Sequence, residues 1–195
     1  MRLVIDIDKL PQVIKDGKDN SFIRISNEEL NLLFENSVLS DNPNSEQIGL
    51  MSAFSIRTVT SNKVLSIKRA SSFNQSSRLD LGFIDYIRGE ENQNKEKMYL
   101  VMANIRDKLS ATFKSDYLKG MLTSIFQPIG IVKTKKYIAI YSNIIIEDLY
   151  ELDTFNLFDN NKLANFEEIS SIYTFTNLAE WSKIILSTLK IVENK

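Results

Sequence analysis

One long amphipathic pattern, set between stretches rich in β-branched residues, constrains the fold of this chain most. Apolar residues recur there at every fourth position, as at Val101 and Ile105, and this spacing predicts a helix over residues 97–113. The same apolar face takes in Met98, Met102, Leu109 and Phe113. The predicted exposed side carries Asn104, Arg106, Asp107, Lys108 and Ser110.

The segments around this helix follow a mixed order. Strand-like patterns occupy residues 3–7, 22–25, 50–59, 63–68, 79–87, 121–132 and 136–146. Helical patterns occupy residues 27–36 and 178–192, and polar or turn-forming stretches predict loops at residues 11–20, 41–45, 71–77, 88–95 and 153–165. Because strands and helices do not alternate as repeated crossover units, the order predicts an α+β fold with a mixed sheet in a single domain.

Two polar motifs predict helix starts. Ser26 followed by Glu29 has the spacing of a capping box, directly before the apolar residues of the segment 27–36. Asn177 followed by Glu180 has the same spacing before the last helix. The inward face of that helix is predicted to carry Leu178, Trp181, Ile185, Leu189 and Val192.

Composition removes much chemistry from consideration. The 195 residues include no Cys and no His, which excludes disulfides, thiol nucleophiles, imidazole bases and Cys- or His-ligated metals. Any catalysis has to use carboxylates, Lys, Tyr, Ser or a hard cation such as Mg²⁺. The 24 basic residues nearly balance the 25 acidic ones, so the composition carries no nucleic-acid signal.

The start of the chain lacks the pattern of a targeting segment. Its short apolar run is broken by Asp6 and Asp8, which does not fit a signal peptide. No stretch of about 18 apolar residues is present to span a membrane. We therefore expect a cytoplasmic protein without membrane partners.

Five short segments, taken in order, resemble one known family. They are residues 45–50, 64–69, 77–83, 128–132 and 181–186, the last reading Trp-Ser-Lys-Ile-Ile-Leu. Together they resemble the Nudix, or MutT-like, hydrolases, in particular a predicted-phosphoesterase subfamily. The resemblance implies an α/β/α sandwich, with residues 45–195 as the Nudix-like domain and residues 1–44 as a strand–helix extension packed on the same domain.

The metal-binding motif of that family is degenerate here. In the family, carboxylates at positions i, i+3 and i+4 of one helix hold Mg²⁺ against a pyrophosphate, and the metal activates water. The Arg-Glu pair of the motif maps onto Arg106 and Asp107, but the paired glutamates map onto Ser110 and Ala111. The glycine pair before the helix is replaced within residues 84–87, which read Ile-Asp-Tyr-Ile.

The resemblance and the missing glutamates together predict a catalytically inactive Nudix-like domain that binds a nucleotide-like ligand or a protein partner, without a cofactor. A subunit of a larger complex is a further reading. The alternative is a metal-dependent pyrophosphohydrolase of nucleoside diphosphate derivatives with relocated acids. Catalytic candidates would then be Glu96 and Asp107, and metal candidates Glu90 and Glu91, with Mg²⁺ as cofactor. Glu167 or Glu168 would serve as base.

Cations near the predicted hairpin are candidates for binding a phosphorylated ligand, because arginine forks suit phosphate. The candidate ligand-binding residues are Arg57, Lys68, Arg69, Arg78 and Tyr86. The aromatic rings of Phe73, Phe83 and Tyr86 suit stacking on a base, or else a place in the core. A basic turn, formed by Lys133, Lys135 and Lys136, is more typical of a solvated hairpin tip. A polar segment with Phe155, Leu157 and Phe158 suits a partner surface or packing on the core.

Overall fold

A computed structural model describes residues 1–58, 62–68, 78–90, 96–112, 127–146, 163–172, 174 and 176–189. The strands in this part are β1 (Arg2–Asp6), β2 (Ser21–Ile23), β3 (Ser37–Ser40), β4 (Gln47–Thr58), β5 (Lys63–Lys68), β6 (Leu79–Asp80), β7 (Phe83–Tyr86), β8 (Pro128–Lys133), β9 (Tyr137–Ile146) and β10 (Leu163–Glu168). The helices are α1 (Gln12–Asp16), α2 (Asn27–Glu35), α3 (Lys97–Thr112), α4 (Ile169–Ile172) and α5 (Glu180–Leu189).

One mixed sheet organises these elements. Its central path runs β10-β5-β4-β9-β8-β2, and β4 pairs in parallel with β9 from Gly49 opposite Tyr137 to Thr58 opposite Ile146. The other edge of β4 is shared by β1, β7 and β5, all antiparallel to it. Within residues 1–44, β1 pairs with β3 and β4, and β2 pairs with β8.

Apolar helix faces cover both sides of the sheet. On one side α2 and α3 bury Leu33, Val101 and Ile105 against the even-numbered residues of β4, such as Phe54. On the other side α4 and α5 form a second cluster with the odd-numbered residues of β4. The result is the predicted α/β/α sandwich in a single α+β domain. No helix in the described ranges is both long and apolar enough to cross a membrane.

Local signals in the sequence located several elements correctly. The predicted capping box is present: Glu29 N donates to Ser26 Oγ, and Ser26 N donates to the Glu29 carboxylate. The predicted apolar face of α3 is confirmed at Val101 and Ile105, both with no exposed surface. Leu178, Trp181, Ile185 and Leu189 are buried as predicted, whereas Val192 and Phe113 lie outside the described residues.

The predicted single strand at 79–87 was wrong, because it divides into β6 and β7. Gly82 separates the two strands with φ of +113°, a conformation that L residues rarely adopt. A Cβ atom at Gly82 would lie 2.1 Å from the carbonyl oxygen of Phe54. The break therefore follows from a close backbone approach, and the apolar pattern does not reveal it.

Three further elements differ from expectation. The predicted loop at 11–20 contains the short helix α1, and β3 was not predicted at all. The predicted loop at 153–165 is wrong at its end, because β10 begins at Leu163 and pairs with β5. These strands are held by partners distant in the chain, which local propensity does not indicate.

The last helix begins later than predicted. Its first residue is Glu180, since the preceding backbone is paired with β6. Leu79 N donates to the carbonyl of Asn177 at 3.1 Å, and Ala179 N donates to the carbonyl of Leu79 at 2.9 Å. Asn177 therefore does not cap the helix, and the bridge places the start of β6 beside the start of α5.

Candidate functional site

The face of the sheet under α3 carries an ion pair at residues 84–87, where Nudix hydrolases have a pair of glycines. Asp85 lies on β7 between two cations: Lys108 Nζ is 2.5 Å from its carboxylate, and Arg88 lies 3.8 Å away. Burial alone would raise the pKa of Asp85, but the hydrogen bond and charge of Lys108, the backbone N–H of Tyr86 and the charge of Arg88 together hold that pKa below its usual value. The carboxylate of Asp85 is thus already neutralised by protein side chains.

Asn104 fastens α3 to two strands beneath it. Its Nδ2 donates to the carbonyl of Tyr86 at 2.9 Å, and its Oδ1 accepts a hydrogen bond from Ser52 Oγ on β4. The prediction that Asn104 lies on the exposed side of the helix was therefore wrong, whereas Arg106 and Asp107 are exposed as predicted and Lys108 is 40% exposed. Asn104 and Lys108 both flank the apolar face and satisfy polar groups of the sheet.

The candidate acids do not gather at one place. Glu96 immediately precedes α3 and Asp107 lies in its third turn, so they are about 16 Å apart along the axis at 1.5 Å per residue. Both are exposed, as is Glu90 after β7, while Glu91 lies outside the described residues. Across the described ranges, no three Asp or Glu side chains group closely enough to hold a metal ion.

The Mg²⁺ site that the resemblance implies is not matched by this set of donors. A hard dication takes one or two carboxylates in nearly octahedral geometry at about 2.1 Å, together with substrate phosphates. Ser110 and Ala111 stand at the two glutamate positions, and Asp85 is bound by Lys108. The residues of α3 and β7 therefore do not fit the metal.

Arg57, a candidate ligand-binding residue, lies deep inside the molecule. Its side chain is only 3% exposed, and Nη1 donates to the carbonyl of Leu189, the last residue of α5, at 3.3 Å. A cation at a helix C-terminus interacts favourably with the last carbonyls. Its Nε has no hydrogen-bond partner in the described part of the chain. Arg57 therefore stabilises the end of α5 and is not available at the surface.

Tyr86 is half-buried and covered on one side. The guanidinium carbon of Arg2 lies 4.5 Å from the centroid of its ring, a cation–π contact. The ring also lies against Gly49, where a Cβ atom would come within 2.7 Å of it. Phe83, the other described stacking candidate, is buried and stacks on Phe54 with ring centroids 4.9 Å apart. Of the two roles considered for it, base stacking or a place in the core, Phe83 therefore has the second.

The remaining candidates divide between described and undescribed residues. Lys133 is not a solvated tip residue, as the basic-turn interpretation had it, because its Nζ donates to the carbonyls of Ile14, Lys15 and Gly17 at 2.7–3.2 Å. Lys135 and Lys136 are exposed as expected. Several candidates have no described side chain: Lys68, Arg69, Phe73, Phe155, Leu157 and Phe158.

Arg78 reaches a cleft that the sequence did not indicate. This basic cleft, of about 720 Å³, is lined by Arg78, Lys136, Thr176, Asn177, Leu178, Glu180 and Lys183. Its three cations come from the residue before β6, the β8–β9 turn and the first turns of α5. Lys183 belongs to the Trp-Ser-Lys segment and Lys136 to the basic turn, but nothing local indicates that the two lie together.

A second cleft adjoins the first through Lys183. This mixed cleft, of about 890 Å³, lies between α5 and the strands β2, β8 and β9. Phe22, Ile129 and Ile184 are its apolar lining residues. Its polar lining residues are Asn20, Ser21, Arg24, Asn143, Lys183, Ser187 and Thr188.

The chain is similar in fold to solved Nudix proteins. It aligns with Tm1382, a candidate Nudix hydrolase, at a TM-score of 0.68 and 13% identity over 96% of this chain and 97% of that one. A NUDIX-family hydrolase from Clostridium perfringens aligns at a TM-score of 0.43 and 11% identity over 73% of this chain and 95% of that one, too weakly to support an argument. No protein-family model and no curated protein matches the chain. The comparison therefore establishes a Nudix-like fold.

Proposed function

We propose that this protein is a non-hydrolytic Nudix-like domain that binds a nucleotide-like ligand without a metal ion. The observation that carries the proposal is the ion pair of Asp85 with Lys108 on the α3 face. A carboxylate that already accepts a charge-assisted hydrogen bond from a lysine is poorly suited to hold Mg²⁺ against a pyrophosphate.

The sequence of α3 supports the same proposal independently. Ser110 and Ala111 occupy the positions of the paired glutamates, and Asp107 lies about 16 Å from Glu96 along the helix axis. Two carboxylates at that separation do not share an ion whose ligands all lie within about 2.1 Å. The nucleotide-like ligand is inferred from the likeness in fold.

Thermal unfolding with a nucleotide panel tests the binding part. Nucleoside diphosphates and sugar nucleotides are tested in EDTA and again in Mg²⁺. A ligand at about 100 times its dissociation constant stabilises the folded state by about 2.7 kcal/mol, which corresponds to several degrees for a domain of this size. We expect at least one ligand to raise the midpoint equally in both conditions.

A hydrolysis assay with the same panel tests the non-hydrolytic part. We expect no Mg²⁺-dependent product above the background of a heat-denatured sample. Turnover at an enzyme-like rate that is abolished by Glu96→Gln or Asp107→Asn would instead establish the rearranged acidic site. Lys135→Gln, an exposed change near neither acid in the chain, is the control for unspecific loss of activity.

A further inference from the structure

The basic cleft concentrates positive charge that the protein leaves uncompensated. In the part of the chain that the structure describes, Arg78, Lys136 and Lys183 are in no ion pair. The one carboxylate that lines the cleft, Glu180, is outnumbered three to one. Because the chain as a whole carries a net charge of −1, this concentration does not follow from a basic composition.

Several cations elsewhere in the described residues have internal partners, whereas Arg106 and Lys135 are exposed without one. Lys108 pairs with Asp85, Lys9 pairs with Asp6, and Lys97 donates to backbone carbonyls at the end of α2. Like charges placed together in one concavity repel one another, and an anion that enters the cleft relieves this repulsion. What distinguishes the basic cleft is that three such cations share one concavity, which favours occupation by an external anion.

Backbone contacts hold the basic cleft in shape. The bridge between Leu79 and Leu178 places Arg78 beside Asn177, through hydrogen bonds of 3.1 and 2.9 Å. The next turn of α5 is anchored from below, because Trp181 Nε1 donates to Asp80 at 2.6 Å and Ser182 Oγ accepts from Leu81 N at 2.9 Å. With Trp181 and Ser182 turned inward, the exposed Lys183 is carried on a rigid support.

The mixed cleft supplies a different chemistry on the other side of Lys183. Phe22, Ile129 and Ile184 provide apolar surface, and Ile129 is 42% exposed. Asn143 provides an amide whose oxygen accepts from Ser55 Oγ at 3.0 Å, which orients the side chain. Among its lining residues Arg24 and Lys183 are basic and none is acidic. The two clefts together suit a ligand with an anionic end and a flat, partly apolar end.

We infer that the basic and mixed clefts form one binding site, on the α5 face of the sheet, for a nucleoside diphosphate. The phosphates lie among Arg78, Lys136 and Lys183, and the nucleoside lies in the mixed cleft between α5 and β2. Lys183, which lines both clefts, contacts the ligand where its two parts join. This inference rests on the proposed nucleotide-binding function and locates that function on the face opposite α3.

Calorimetric titration of the full chain with ADP in EDTA is the test. We expect ADP to bind, and Lys183→Gln to weaken binding by tenfold or more, since one charge-assisted hydrogen bond to phosphate is lost. Arg78→Gln and Lys136→Gln are expected to weaken it by about three- to tenfold each. Lys135→Gln is the matched control for Lys136→Gln, because Lys135 is also exposed on that turn but lines neither cleft. It is expected to stay within about twofold.

Two further measurements separate what the charge of Lys183 and what the nucleoside contribute to the binding affinity. Lys183→Arg keeps the cation and is expected to restore most of the affinity lost in Lys183→Gln. Inorganic pyrophosphate is expected to bind more weakly than ADP by at least tenfold, because it leaves the mixed cleft empty. Equal affinity for pyrophosphate and ADP would overturn the two-cleft site.

The outcomes distinguish this inference from the proposed function. ADP binding that Lys183→Gln and Arg78→Gln leave unchanged would overturn the α5-face site and leave a non-hydrolytic nucleotide-binding domain in place. No binding of either ADP or pyrophosphate up to millimolar concentration would overturn the α5-face site, and the nucleotide panel described above tests the proposed function separately. Metal-dependent hydrolysis with a binding loss in Lys183→Gln would overturn the non-hydrolytic function but keep the site.

Discussion

The two faces of the sheet treat their polar groups in opposite ways. Under α3, Lys108 is bound to Asp85, and Asn104 is bound to Ser52 and the backbone of Tyr86. Beside α5, Lys183 and Lys136 line an open cleft without an ion pair in the described chain. The polar residues that stabilise the fold are therefore different from the basic residues that a ligand can contact.

The largest effect is expected from Trp181, which attaches α5 to the sheet. The side chain is 1% exposed and its Nε1 donates to Asp80. Trp181→Ala is expected to cost about 3–5 kcal/mol of unfolding free energy, through lost apolar burial and a cavity. Urea unfolding followed by circular dichroism measures it, with Tyr99→Ala as the control because Tyr99 is 49% exposed. A cost below 1 kcal/mol would mean that α5 is held mainly by other contacts.

A smaller loss is expected at Lys97, at the start of α3. Its Nζ donates to the carbonyls of Phe34, Glu35 and Ser37, where α2 ends. Lys97→Met keeps the apolar stem but leaves those carbonyls without the donor, which is expected to cost about 1–3 kcal/mol. The same urea titration applies, and Lys135→Met, exposed and without such contacts, should change stability by no more than about 0.5 kcal/mol. Equal effects in the two variants would mean that a lysine bonded to the backbone contributes no more to stability than an exposed one.

The ion pair under α3 predicts a dependence of stability on pH. Because the pKa of Asp85 is lower in the folded than in the unfolded state, its contribution is present above about pH 4 and is lost as the pH falls through the folded pKa. Asp85→Asn is expected to cost at most about 1 kcal/mol at pH 7, since Lys108 is partly exposed. Unfolding curves at pH 7 and pH 3 should show the variant losing less stability than the wild type on acidification. An equal loss in both proteins would contradict the pairing.

The smallest effect on stability is expected at Lys183 itself. Lys183→Gln removes a charge that has no ion-pair partner in the described residues, so the unfolding free energy should change by less than about 0.5 kcal/mol. Removal of its repulsion with Arg78 and Lys136 is stabilising, and the loss of its attraction to Glu180, three residues earlier on α5, opposes it. A clear destabilisation in the same urea titration would place Lys183 among the structural cations and break the contrast between the two faces.

Local chemistry made part of the fold predictable. The capping box at Ser26 and the fourfold spacing through Val101 and Ile105 act within one or two turns, and both predictions hold. The break at Gly82 was not predictable, because it depends on the carbonyl of Phe54, a residue on another strand. β3 and the beginning of β10 were missed for the same reason, since their hydrogen bonds go to distant strands.

The candidate site, like the fold, was predictable from the sequence only in part. The absence of His and Cys is a property of the sequence alone and excludes metals held by those residues. The family resemblance adds that Ser110 and Ala111 stand at the glutamate positions, which already argued against a Mg²⁺ site there. The tertiary structure alone placed Arg57 beneath the end of α5, joined Asp85 to Lys108, and brought Arg78, Lys136 and Lys183 into one cleft. Electrostatic interaction depends on distance in space, and the distances between residues far apart in the chain are set only when the sheet is paired and the helices pack on it.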